Sequence, residues 1–131
     1  MARCLALAAQ LHAAAGQLPR ALGELRDAIE TADVDGDRPA MAYTLARAVV
    51  VLRHDDPTTA AVLCGVIGEG VLGRQFPVLV WERDWFHRIT DELATVLRSD
   101  RYQAALDDGA ALAYEDAVRT ALDAIAVLTL S

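Results

Sequence analysis

Three prolines divide the first half of the chain. Pro19, Pro39 and Pro57 each follow a polar or glycine-containing break and each precede an apolar run of helical period. Proline is tolerated in the first turn of a helix, where its missing N–H has no intrahelical partner to lose. Three helix starts are therefore set before any tertiary argument. The apolar residues around them recur at three and four positions, as one face of a helix requires, and no strand-like alternation is long enough to compete.

Read on this basis, the chain gives about seven helices. The first runs from about Ala2 to Ala15, with Leu5, Leu7, Ala8, Leu11 and Ala14 as its inward stripe, and Gly16 ends it. The second, after Pro19, buries Leu22, Leu25, Ala28, Ile29 and Ala32 and breaks at Asp33–Asp37. The third carries Met41, Leu45, Ala48, Val49 and Leu52; the fourth carries Ala60, Ala61, Leu63, Cys64 and Ile67 and fades through Gly68, Gly70 and Gly73. A connector at 74–80 contains Pro77. The fifth helix spans roughly Trp81–Arg98 on a Trp85, Ile89, Leu93, Val96 and Leu97 stripe. Ser99 and Asp100 read as the cap of a short sixth helix through Leu106 that ends near Gly109. The last runs from about Tyr114 to Leu128, with Ala117, Val118, Ala121, Leu122 and Ile125 inward.

A shift of 38 residues lays the first two helix pairs over each other. Leu7 falls on Leu45, Ala8 on Ala46, Leu11 on Val49, Pro19 on Pro57, Leu25 on Leu63, Ala28 on Val66 and Ile29 on Ile67. Apolar matches alone would suit any two amphipathic helices, but the proline match in the same register points to successive helix-turn-helix repeats. The period is slightly above the ~34 residues of tetratricopeptide repeats. The expected architecture is all-α: one domain over 1–131, built of tetratricopeptide-like antiparallel helix pairs in an α-α superhelix. Two repeats occupy 1–73 and capping helices occupy 81–131. Two repeats are fewer than the ~3 a stable stack usually needs, so the later helices or another chain must cap them.

The second half resembles the C-terminal repeat region of actinobacterial ATPase-type transcriptional regulators, of the LuxR-type or cyclase-linked kind. The resemblance rests on Pro57-Thr58-Thr59-Ala60-Ala61-Val62-Leu63-Cys64-Gly65, on Asp100-Arg101-Tyr102-Gln103-Ala104-Ala105-Leu106, and on Gly109-Ala110-Ala111-Leu112-Ala113-Tyr114-Glu115-Asp116-Ala117-Val118. It covers roughly 57–126. The sequence departs from the family pattern at Ala113-Tyr114, where a Ser or Thr cap is usual, and in the aromatic richness around Trp81, Trp85 and Phe86. The resemblance implies a non-catalytic interaction or regulatory region in a signalling protein, with a protein partner or the remainder of a multidomain regulator as its target.

Composition narrows the function classes further. Net charge is -7, all positive charge is Arg, and no basic cluster exists to displace counterions from phosphates, so direct nucleic-acid binding is not expected. No apolar run reaches the ~18 residues of a membrane span, and the apolar start at Cys4–Ala9 is shorter than a secretory core. A cytoplasmic protein with two reduced thiols, Cys4 and Cys64, is the expectation.

Asp33-Val34-Asp35-Gly36-Asp37 lacks the Gly and Glu positions of a calcium loop and reads as a capped acidic turn. Gly65–Gly70 has no following Lys and no preceding strand, so it is not a phosphate loop. Asp84, His87 and Asp91 share a helical face, which permits a base or metal ligand, but Arg83 and Arg88 on the same helix favour a salt-bridged surface. No catalytic, cofactor or metal residues are assigned, and no enzyme is expected. Trp81, Trp85, Phe86 and His87 are the candidate partner or ligand contacts; filling the core is the competing role for the rings. The alternative to an interaction domain is a small-ligand sensor whose pocket involves Trp81, Trp85, Phe86 and Val78. Because a two-repeat stack leaves an open end, a homodimer is also expected as a possibility.

Overall fold

The computed structural model describes residues 1–73 and 83–130. The connector at 74–80, and with it Val78 and Trp81, lies outside the described residues. Seven α-helices make up the described chain, with no strand among them: α1 (Ala2–Ala14), α2 (Leu18–Asp35), α3 (Arg38–Leu52), α4 (Pro57–Gly68), α5 (Arg83–Leu97), α6 (Ser99–Ala111) and α7 (Tyr114–Thr129).

The prolines stand where the sequence requires them, in the first turns of α2, α3 and α4. Asp37 and Asp56 complete two of these starts. The Asp37 carboxylate accepts from the Ala40 N–H at 3.0 Å, and that of Asp56 accepts from the Thr59 N–H at 3.1 Å and the Thr59 hydroxyl at 2.7 Å. The α2 helix continues to Asp35, past the expected break at Asp33, and stops at Gly36. There φ is +64°, so the Gly36 and Asp37 N–H groups fold back onto the Asp33 and Ala32 carbonyls. Ser99 is not the cap of α6. Arg98 holds that place with φ +69° and no side-chain cap bond.

Helix α1 packs on α2 and α3, and α3 packs on both α2 and α4. Helices α4 and α6 make an extensive contact, with α5 against both, while α7 returns to lie on α2 and α4. The stripes expected for α2, α3 and α4 are buried without exception. In α7, Ala117, Val118, Ala121 and Ile125 are buried and Leu122 is half-buried.

Two stripes differ from expectation. On α1 the buried residues are Ala2, Ala6 and Ala9, whereas Leu7 is 43% and Leu11 62% exposed. Their counterparts at the 38-residue shift, Leu45 and Val49, are fully buried. The shift therefore carries burial across the second helices, Leu25 with Leu63 and Ile29 with Ile67, but not across the first. Helix α1 approaches its neighbours through alanines, which let backbones come close, and turns Leu7 and Leu11 outward. On α5 the buried residues are Phe86, Ile89 and Leu93, and Val96 is 65% exposed.

Gly109 also has a different role from the one expected. It does not end α6, which runs on to Ala111. It is buried where α6 meets α4: a Cβ on Gly109 would overlap the Val62 carbonyl oxygen, and one on Gly65 would overlap that of Leu106. These paired glycines set the α4–α6 separation at near backbone contact.

Candidate functional site

The residues singled out on α5 go to different places. Trp85 is half-buried and faces α3, where the Arg47 guanidinium lies 5.0 Å from its ring centroid and 4.5 Å from that of Tyr43. Arg47 also donates to the Gln10 side-chain oxygen at 3.1 Å, so one cation ties α1, α3 and α5 together. Phe86 is buried in the core, with its ring centroid 6.3 Å from that of Trp85. His87 is exposed. The three therefore go to different surroundings: Trp85 packs against Arg47, while Phe86 and His87 line a common cavity.

That cavity is a cleft of about 480 Å³ between α4, α5 and α6. Cys64, Ile67 and Leu106 are among the apolar groups in its wall, beside Phe86. Tyr102 enters from α6, and burial pushes its phenol up from 10.0, with the bond to Thr90 acting in the opposite sense, so the ring presents a neutral hydroxyl. Glu69 and Asp107 stand exposed on the margin, and Asp107 accepts from the Gln103 amide at 2.9 Å. Among the described residues, no Arg lines the cleft. Sequence reasoning found Phe86 and His87 but missed the α4 and α6 walls, because the residues join only after the glycine-mediated contact forms.

The Asp84, His87, Asp91 and Glu92 constellation stays a surface feature. All four residues are exposed, and Glu92 pairs with Arg53, just past the end of α3, at 3.6 Å. Among the described residues no three His, Cys, Asp or Glu side chains converge as a metal site would require. The acidic turn after α2 supplies caps: Asp37 serves α3 as described. Both cysteines are free thiols. Cys64 is buried, and loss of solvent pushes its thiol up to about 12, far from the thiolate a nucleophile needs. Cys4 is exposed rather than packed, on the same outer side of α1 as Leu7 and Leu11.

Among the described residues no helix is long and apolar enough to cross a membrane. Comparison with protein-family models, with curated protein sequences and with solved structures returned no match.

Proposed function

We propose that this chain is a non-catalytic helical-repeat domain that binds another protein, acting as the interaction part of a signalling or transcriptional regulator. The observation that carries the reading is the outer face of α1. Cys4, Leu7 and Leu11, spaced three and four apart, form an exposed apolar stripe on a helix that contains no carboxylate, in a chain of net charge -7. An apolar helix face left open at the end of stacked helix pairs is the kind of surface that receives another helix. The resemblance of residues 57–126 to regulator C-termini supports the same class of function.

The first partner to test is a second copy. Sedimentation velocity over a concentration series is expected to show the wild type associating while a Leu7→Glu/Leu11→Glu variant stays at the 14.1 kDa of one chain. The variant's far-UV circular dichroism should match the wild type, because both leucines are exposed. Wild-type and variant proteins that are both monomeric throughout would remove the self-association reading. Association that survives the substitutions would remove the α1 face as the contact.

A further inference from the structure

We infer that the cleft between α4, α5 and α6 binds a small organic ammonium ion with an aromatic body, a site separate from the α1 face. Its volume of about 480 Å³ falls within the ~300–1,000 Å³ range of small-molecule pockets. Its walls specify charge. Glu69 at the end of α4 and Asp107 on α6 bring two carboxylates to the margin, and among the described lining residues His87 is the one side chain able to carry positive charge. Among the described residues, a phosphate or carboxylate ligand would find no guanidinium there and two like charges. An ammonium group finds two carboxylates, and Phe86 and Tyr102 supply aromatic surface in the wall beside them.

The neighbouring depression makes the contrast clear. It lies between α3 and α5, and its cations Arg53 and Arg88 are matched by Asp91 and Glu92, with Arg53 and Glu92 already paired. Its charges are balanced, so it selects no ligand sign. Among the described residues, the cleft's carboxylates have no Arg beside them in the lining.

Gly68 supplies an independent observation. It lines the cleft at the last turn of α4, yet a Cβ built there would meet nothing within 4 Å, and its φ is not in the left-handed region. Gly65 and Gly109 are needed for close packing; Gly68 is not. Glycine in a helix costs about 1 kcal/mol relative to alanine. A side chain at this position would stand at the cleft.

The test uses phenethylammonium as probe and phenylacetate as its anionic counterpart, each titrated into the full chain at pH 7 and followed by amide chemical shifts. Saturable shifts in α4, α5 and α6 are expected with phenethylammonium and none with phenylacetate. Gly68→Leu should abolish the shifts while leaving the melting temperature equal or higher. Glu69→Gln/Asp107→Asn, both at exposed positions, should weaken binding about fivefold. Equal binding of both probes, absence of saturation with phenethylammonium, or undiminished binding to Gly68→Leu would each overturn the assignment.

Discussion

Single residues explain much of how this small-residue core is held. Thr44 is fully buried in α3, and its hydroxyl has no hydrogen-bond partner among the described residues. A buried hydroxyl without a partner carries a desolvation cost that an isosteric methyl does not. Thr44→Val is therefore expected to raise stability by about 1 kcal/mol in urea unfolding. Cys64 gives a second, pH-dependent expectation. Its thiol is pushed up to about 12 in the folded chain and returns toward 9.0 on unfolding. Below pH 9 both states keep the proton and the group has no effect. Between about 9 and 12 the unfolded chain releases it and the folded chain does not, so stability falls as pH rises. Tyr102 and Tyr114, also raised by burial, act in the same direction. Thermal melts of Cys64→Ala should show a shallower alkaline decline than the wild type, beside a pH-independent offset from the lost packing.

At the scale of helices, the sequence was informative where large apolar residues mark the buried face and misleading where alanines do. The stripes of α2 and α3 were legible because Leu22, Leu25, Ile29, Met41, Leu45 and Leu52 fill space that only a core can offer them. On α1 periodicity places the more hydrophobic Leu7 and Leu11 inward, yet Ala2, Ala6 and Ala9 are inward. Close helix approach selects for small size, and hydrophobic periodicity does not measure size. The same blindness affected Gly109, which reads as a terminator in sequence and proves to be a contact point between helices. The cleft was half legible: Phe86 and His87 lie on one segment, but Glu69 and Tyr102 come from elements whose meeting depends on that contact. Gly109→Ala places a methyl against the Val62 carbonyl and forces α4 and α6 apart. A loss of about 1–3 kcal/mol is expected from overpacking, outweighing alanine's higher helix propensity. Gly68→Ala, with open space at its Cβ, is the control that should be neutral or stabilising.

For the whole molecule, the decisive arrangement is that the later helices do not simply extend the line of pairs. Helix α7 reaches back to α2, and Arg38 stacks on the Tyr114 ring with its guanidinium 4.2 Å from the centroid, fixing the start of α7 beside the α2–α3 turn. Arg47 similarly joins α1, α3 and α5. With both ends of the chain tied to the middle, no helix pair can melt without uncovering its neighbours. Unfolding in urea is expected to be two-state: far-UV circular dichroism, which averages all helices, should give the same midpoint as tryptophan fluorescence, to which the half-buried Trp85 on α5 contributes. Separate midpoints would show that α5 and its surroundings form an independently unfolding unit.

The return of α7 also imposes an order of events on the ribosome. Residues near Leu25 emerge roughly a hundred positions before Ile125, at synthesis rates of about 5–20 residues per second. Until α7 emerges, the sides of α2 and α4 that it will cover stay in contact with water. For some seconds the nascent chain therefore displays an apolar surface that the finished protein hides, and molecular chaperones would meet the chain in that interval.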